Sequence, residues 1–289
     1  MLKDITYFFK ISRPINLLIS GVSFFIAAFF AKHHSFNFVA DYHFWGVLLV
    51  ILLIAAGGYW INDVYDFRID RINKPDKAIV NTFLSVKKVL TVYWVMHFLL
   101  FAIVVWFVPF SLTFIFVSTA IVLFIYAAWL KRVSLIGNVV VAALTSLVIL
   151  CAGYLYEITL SLAWMMMFAF EINLIREIVK DVEDIKGDLA FKLQTLPIQI
   201  GLKRTKYVLY FLYICLLVSC YVPVVVEYLK HQTLLVPYLS FSILAVQLPT
   251  LYLIYLLYHA INPSEYKKQS TYIKVIMLAG IVNLVLLAV

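Results

Sequence analysis

The sequence predicts an all-α, polytopic membrane protein with nine transmembrane helices, the N-terminus cytoplasmic and the C-terminus outside. Three observations predict it: composition, the length of the apolar runs and the placement of basic residues. Of 289 residues, 65% are hydrophobic and 13% charged, and mean hydropathy is +1.00. Soluble domains are only about 45–50% apolar. A spanning helix needs about 20 mostly apolar residues. Runs centred on 15–31, 44–62, 89–108, 110–130, 135–155, 160–178, 207–226, 235–258 and 272–289 meet that need. They take up most of the chain, which predicts one membrane domain over residues 1–289 with no separate soluble unit. The first run is followed by Lys32-His33-His34 rather than a small-residue cleavage site, so it reads as a mature helix.

With the N-terminus inside, all of the 23 basic residues except Lys32 and Lys230 fall on the cytoplasmic side, as the positive-inside rule requires. The net charge of +8 is therefore a topology signal and does not imply nucleic acid. Cys151, Cys215 and Cys220 lie in apolar runs without CxxC spacing, which predicts small hydrophobes rather than a metal site or disulfide.

Polar residues collect in two inner connections, 63–88 and 181–206. The first begins Asp63-x-x-Asp66-x-x-x-Asp70 and the second Asp181-x-x-Asp184-x-x-x-Asp188, with identical spacing. Four helices separate the two, so both emerge on one membrane face as a weak parallel repeat, with a site predicted between its halves. Residues at i, i+3 and i+7 share a helical face, so each set extends its helix as a carboxylate stripe, and Asn62 adds an amide oxygen to the first. Repelling acids of this kind call for a cation. Mg²⁺ is the economical choice, since it favours carboxylate oxygens and bridges to phosphates. The predicted metal ligands are Asn62, Asp66, Asp70, Asp181, Asp184 and Asp188. Interleaved bases, Arg68, Arg71, Lys74 and Lys77 in the first connection and Arg176, Lys180 and Lys186 in the second, are placed to bind diphosphate oxygens. One such motif alone fits ordinary ion pairing on a solvated face; its duplication on one membrane face argues for a site. Gly57-Gly58 reads as close helix packing, Glu171 as a cavity-lining acid, and His97 as a hydrogen-bonded core residue.

Asn62-Asp63-Val64-Tyr65-Asp66-Phe67-Arg68-Ile69-Asp70 resembles the NDxxDxxxD signature of the UbiA superfamily of intramembrane prenyltransferases, and 181–188 its second aspartate motif. The resemblance covers essentially the whole chain. It implies a helical bundle with a central lipid-accessible cavity, in the cell membrane, with its active site on the cytoplasmic side. It further implies Mg²⁺-dependent transfer of a prenyl group from a prenyl diphosphate donor to a lipophilic acceptor. Asp70 to Lys77, Gly137 to Ala142, Arg176 to Asp188 and Thr195-Leu196-Pro197-Ile198 are similar to the digeranylgeranylglyceryl phosphate synthase branch. That branch implies ether formation at the free hydroxyl of a prenylated glycerol phosphate, with Arg13 and Asn16 facing the acceptor. The family's Tyr-x-x-x-Lys element corresponds to Tyr126 and Lys131, here one residue further apart. After Pro75 the chain has Lys77-Ala78-Ile79-Val80-Asn81-Thr82 instead of the family's proline- and glycine-containing turn.

On this reading the bound metal neutralises the departing diphosphate, aided by Arg71, Lys77, Lys131 and Lys180. Tyr126 or Tyr65 offers a π face to the allylic cation. An aspartate not committed to metal takes the acceptor's proton, and Asp63 is a candidate. Two alternatives stand beside it. An aromatic prenyltransferase of quinone or haem biosynthesis would keep the donor half and change the acceptor. A divalent-cation transporter or channel would leave the matched spacing and interleaved bases unexplained.

Overall fold

The computed structural model describes residues 2–288, apart from the side chains of Leu2, Lys77, Trp106, Phe107 and Ala288. The sequence-predicted base Lys77 thus has its side chain outside the described residues. In a hydrocarbon solvent each backbone polar group must be satisfied within its own segment, so apolar runs become helices. The helices are α1 (Leu2–Ile11), α2 (Pro14–Ala31), α3 (Tyr42–Asn73), α4 (Val86–Phe107), α5 (Phe110–Ala128), α6 (Ile136–Leu155), α7 (Leu160–Glu183), α8 (Ile185–Ala190), α9 (Leu196–Ser219), α10 (Val222–His231), α11 (Val236–Ser242), α12 (Leu248–His259) and α13 (Tyr266–Val285).

Among the described residues, seven stretches are long and apolar enough to cross a membrane: α2, α3, α4, α5, α6, the stretch Leu196–His231 and the stretch Val236–His259. The predicted runs 160–178 and 272–289 fall on α7 and α13. Both are long helices, but α7 carries Glu171, Arg176, Glu177, Lys180 and Asp181, and α13 carries Lys267, Lys268 and Lys274.

Helix ends follow local chemistry. Proline occupies the first turn of α2, α9, α10, α11 and α12, where its missing N–H costs nothing. Asp41 caps α3 through the His43 amide, and Ser85 caps α4 through the Lys88 amide. Gly201 bends α9 at φ +80, a left-handed conformation that only glycine adopts freely.

The core runs through α2, α3, α6, α7, α9 and α13, with α6 against α7, and α7 against α9 and α13. Small residues let helices approach. A Cβ at Gly57 would strike His97 of α4, and one at Gly58 would meet Leu123 of α5 at 3.0 Å. His97 bonds the Tyr93 carbonyl at 2.9 Å. A Cβ at Gly280 of α13 would run into the Phe168 ring of α7. Gly280→Leu is therefore expected to destabilise the bundle by about 1–3 kcal/mol through overpacking, read as a lower thermal midpoint in detergent.

At one end of the bundle, Tyr156 donates to Asp41 at 3.0 Å and His33 meets Glu157 at 2.8 Å. At the other lie the two aspartate motifs. An isolated β-bridge there pairs Val133 with Gln194.

Candidate active site

The first motif forms as predicted, because α3 continues unbroken past the apolar run to Asn73. The second does not continue α7 in one piece. The helix stops at Glu183, Asp184 adopts φ −92 and ψ 4, and α8 starts afresh at Ile185. The break turns α8 towards the end of α3, where the Gly187 amide donates to Asn73 Oδ1 at 2.7 Å. A side chain at Gly187 would stand 2.5 Å from Asn73 Nδ2, so the approach requires glycine. Lys74 Nζ, from the same end of α3, bonds Asp184 Oδ2 at 2.6 Å. The two motifs therefore share one face and touch.

Between them opens a cavity with about 210 Å³ of water-accessible space, polar at the motif end and apolar towards Ile19, Ile149, Phe168 and Ile281. Of the sequence-predicted residues, Arg13, Asn16, Asn62, Asp70, Tyr126, Lys131, Arg176, Lys180, Asp181, Asp184 and Asp188 line it. Three more lie one bond behind. Asp63 is held by Arg13 at 2.7 Å, Asp66 is contacted by Lys131 and by Asn62 Nδ2 at 2.8 Å, and Lys74 is held by Asp184.

Lys131 arrives through local geometry. α5 ends at Ala128, and a 3-10 turn, Leu130–Arg132, swings the lysine back inward, absorbing the extra residue after Tyr126. Gly137 permits this, since a Cβ there would meet the Leu130 carbonyl at 3.0 Å and the Tyr126 ring at 3.3 Å. Burial opposes the Lys131 charge, but Asp66, itself only 4% exposed, faces the ammonium and holds it protonated above the ordinary lysine value.

Several expectations are corrected. Arg71 does not reach the cavity; one step past Asp70 it leaves the acidic face and donates to the Asn81 carbonyl at 2.7 Å. Asn81 takes φ 60, so an asparagine fills the left-handed place in the turn that has lost its glycine. Tyr65 stands edge-on to Phe124, half-exposed and away from the cavity. Glu171 accepts from Ser219 at 2.6 Å and does not line the cavity.

Other lining residues went unnoticed in the sequence. Tyr59 lies under the Arg13 guanidinium at 4.7 Å. Asn73, also on the wall, joins α3 to α8, and Asn138, behind the wall, donates to Asp181 at 2.8 Å. Glu177, one turn before Asp181 on the same face, could have been found by extending the second stripe backwards.

Among the described residues no three acids, histidines or cysteines converge closely enough to hold a metal ion as they stand. The acids are instead drawn to separate partners, Asp63 to Arg13, Asp66 to Lys131, Asp181 to Asn138 and Asp184 to Lys74. Two oxygens of the predicted ligand set, Asn62 Oδ1 and Asp184 Oδ1, are nevertheless buried with no hydrogen-bond partner. Buried acceptors left unpaired are costly, and an all-oxygen donor set suits Mg²⁺.

Burial pushes the Asp188 carboxyl up to about 6, with Asp184 and Asp66 adding to the rise against Lys131. Asp188 is then neutral below pH 6 and must lose its proton to bind a cation. Mg²⁺ affinity is expected to weaken as pH falls from 7.5 to 5.5. Calorimetric titration in buffers of different ionisation enthalpy would show proton release growing over that range.

A family model described as the UbiA prenyltransferase family matches residues 20–274. Digeranylgeranylglyceryl phosphate synthase of Thermococcus kodakarensis is 35% identical over 218 residues, 75% of this chain and 77% of that protein. The synthase of the same name from Methanosphaera stadtmanae is 29% identical over 277 residues, 96% and 97% of the two chains. Among solved structures, a digeranylgeranylglyceryl phosphate synthase superposes with a TM-score of 0.71 at 24% identity, covering 98% of this chain and 99% of that one. A UbiA homologue from Archaeoglobus fulgidus bound to DMAPP and Mg²⁺ gives 0.65 at 15% identity, covering 96% and 98%. The motif pair, the fold that joins it and the span of the family match converge: this chain belongs to the UbiA prenyltransferase family.

Proposed function

We propose that this enzyme transfers a geranylgeranyl-type group from a prenyl diphosphate to the free hydroxyl of a prenylated glycerol phosphate, forming an ether lipid. It does so as a single domain with nine crossings, N-terminus inside, at the cytoplasmic face of the cell membrane. The observation that carries the reading is the cavity itself, with paired acidic motifs and Lys131 at one end and apolar walls for isoprenoid tails beyond them. The names of the synthases from Thermococcus kodakarensis and Methanosphaera stadtmanae support the glycerol phosphate acceptor.

Asn62, Asp66, Asp70, Asp181, Asp184 and Asp188 would hold Mg²⁺, which when bound would supply positive charge to neutralise the departing diphosphate. Lys131 and Lys74 add fixed positive charge beside the same oxygens. Tyr126 and Tyr59, both on the cavity wall, present π faces to the allylic carbon as its C–O bond to diphosphate breaks. The acceptor's hydroxyl oxygen forms the new C–O bond, and its proton passes to Asp63, which Arg13 holds just behind the cavity wall. The apolar walls keep water from competing for the cation.

The test is a substrate trial with detergent-purified protein, Mg²⁺, geranylgeranyl diphosphate and either geranylgeranylglyceryl phosphate or 4-hydroxybenzoate. Consumption of the glycerol phosphate alone is expected, and it should stop on chelation and return with added Mg²⁺. Consumption of only the ring acceptor would replace this reading with the aromatic one.

A further inference from the structure

The proposed reaction leaves Arg176 and Lys180, which the sequence assigned to the diphosphate, without a task at the aspartate end. Arg176 and Lys180 lie one turn apart on α7, both on the cavity wall, and Arg176 sits roughly 7 Å along the helix from Asp181, away from the acidic end. Between them is Glu177, 7% exposed. Its Oε1 accepts from Arg176 Nη1 at 2.7 Å, and its Oε2 faces Lys180 Nζ at a looser 3.5 Å. Arg13 is a third cation whose field reaches this carboxylate. One carboxylate thus serves two cations, the second loosely, while Arg13, itself paired with Asp63, adds to the positive field, and Arg176 Nε remains buried with no partner. An unpaired guanidinium N–H in a buried site is costly, and a tetrahedral oxyanion matches its fork.

We propose that Arg176 and Lys180, with Arg13, form a subsite for the acceptor's phosphate, and that Glu177 holds the anion's place while the acceptor is absent. This rests on the glycerol phosphate reading. Hydroxyl and phosphate share a three-carbon glycerol, so the two groups lie only a few bonds apart. A phosphate on Arg13 sets the hydroxyl beside Asp63, whose Oδ1 is 2.7 Å from the same guanidinium. The donor's diphosphate keeps the aspartates, Lys131 and Lys74. When the phosphate enters, Glu177 yields Lys180, its weaker contact, and retains Arg176 Nη1, while Arg176 Nε gains the acceptor it lacks.

The subsite separates phosphorylated from unphosphorylated acceptors, and that is what the experiment reads. Wild type, Lys180→Met and Arg176→Lys are compared with geranylgeranylglyceryl phosphate and with its dephosphorylated alcohol, each against varied geranylgeranyl diphosphate. Loss of a charge-assisted bond is expected to lower the ratio of kcat/KM for the two acceptors by about tenfold or more, with acceptor KM rising more than donor KM. Inorganic phosphate should compete with the acceptor, more weakly in Lys180→Met and more strongly in Glu177→Gln. Equal losses on both acceptors would reduce these residues to a structural role. A rise confined to donor KM would return them to the diphosphate. If wild type consumes neither glycerol acceptor, the functional reading fails by itself. Calorimetric titration of inorganic phosphate into wild type, Lys180→Met and Glu177→Gln, which needs no turnover, then still decides whether the subsite exists. Tighter binding in Glu177→Gln and weaker binding in Lys180→Met are expected, and equal binding by all three would overturn it.

Discussion

Asp66→Asn is expected to lower kcat by about 10²–10³-fold or more, a loss of the size seen when one preorganised electrostatic contact is removed from a transition state. The change keeps the shape of a residue that is 4% exposed but removes the charge facing Lys131. Two contributions vanish together. A predicted metal ligand is neutralised, and Lys131, proposed to steady the leaving group, loses the counter-ion fixing its position. Lys131→Met should cost a similar factor. The double variant should lose much less than the product of the two, since both single changes disable one unit. Single-turnover rates at saturating donor and Mg²⁺ measure this, and fully multiplicative losses would show that the pair does not act together.

Gly187→Val is expected to be nearly as damaging without removing any charged group. The new side chain would collide with Asn73, break the Gly187 amide's bond and push α8 away from α3. Asp188 and Asp184 would move with it, pulling Lys74 from its 2.6 Å contact. Misplacement by about 1 Å can cost around 10²-fold in rate, so a fall in kcat/KM of that order is expected while the apolar bundle still folds. Asn73→Ala, which deletes the bond but adds no bulk, should lose less. If Gly187→Val retained full activity, the junction between α3 and α8 would have no part in aligning the motifs.

The sequence made much of this site readable because its two signals are periodic. The apolar runs mark the helices, and the i, i+3, i+7 acids mark the face, so Asn62 and Asp70 from one motif and Asp181, Asp184 and Asp188 from the other are found lining one cavity. What was not readable depends on three-dimensional contact. The break at Asp184 is set by the meeting of Gly187 with Asn73, 114 residues apart, which no local pattern encodes. Arg71 resembled its basic neighbours in composition, but one helical step carries it off the acidic face and onto Asn81. Tyr59 and Tyr65 are indistinguishable as letters six positions apart, yet one borders the cavity and the other packs on Phe124. Glu177 was hidden inside a motif read for its aspartates.

The bridge between Val133 and Gln194 couples two segments that carry opposite halves of the chemistry. Val133 closes the turn bearing Lys131, and Gln194 follows the short helix bearing Asp188. Neighbours at this point, the two rims are expected to move together. On the proposed reaction, release of pyrophosphate is expected to open both lips together, and a label on either segment should then report the same exchange rate.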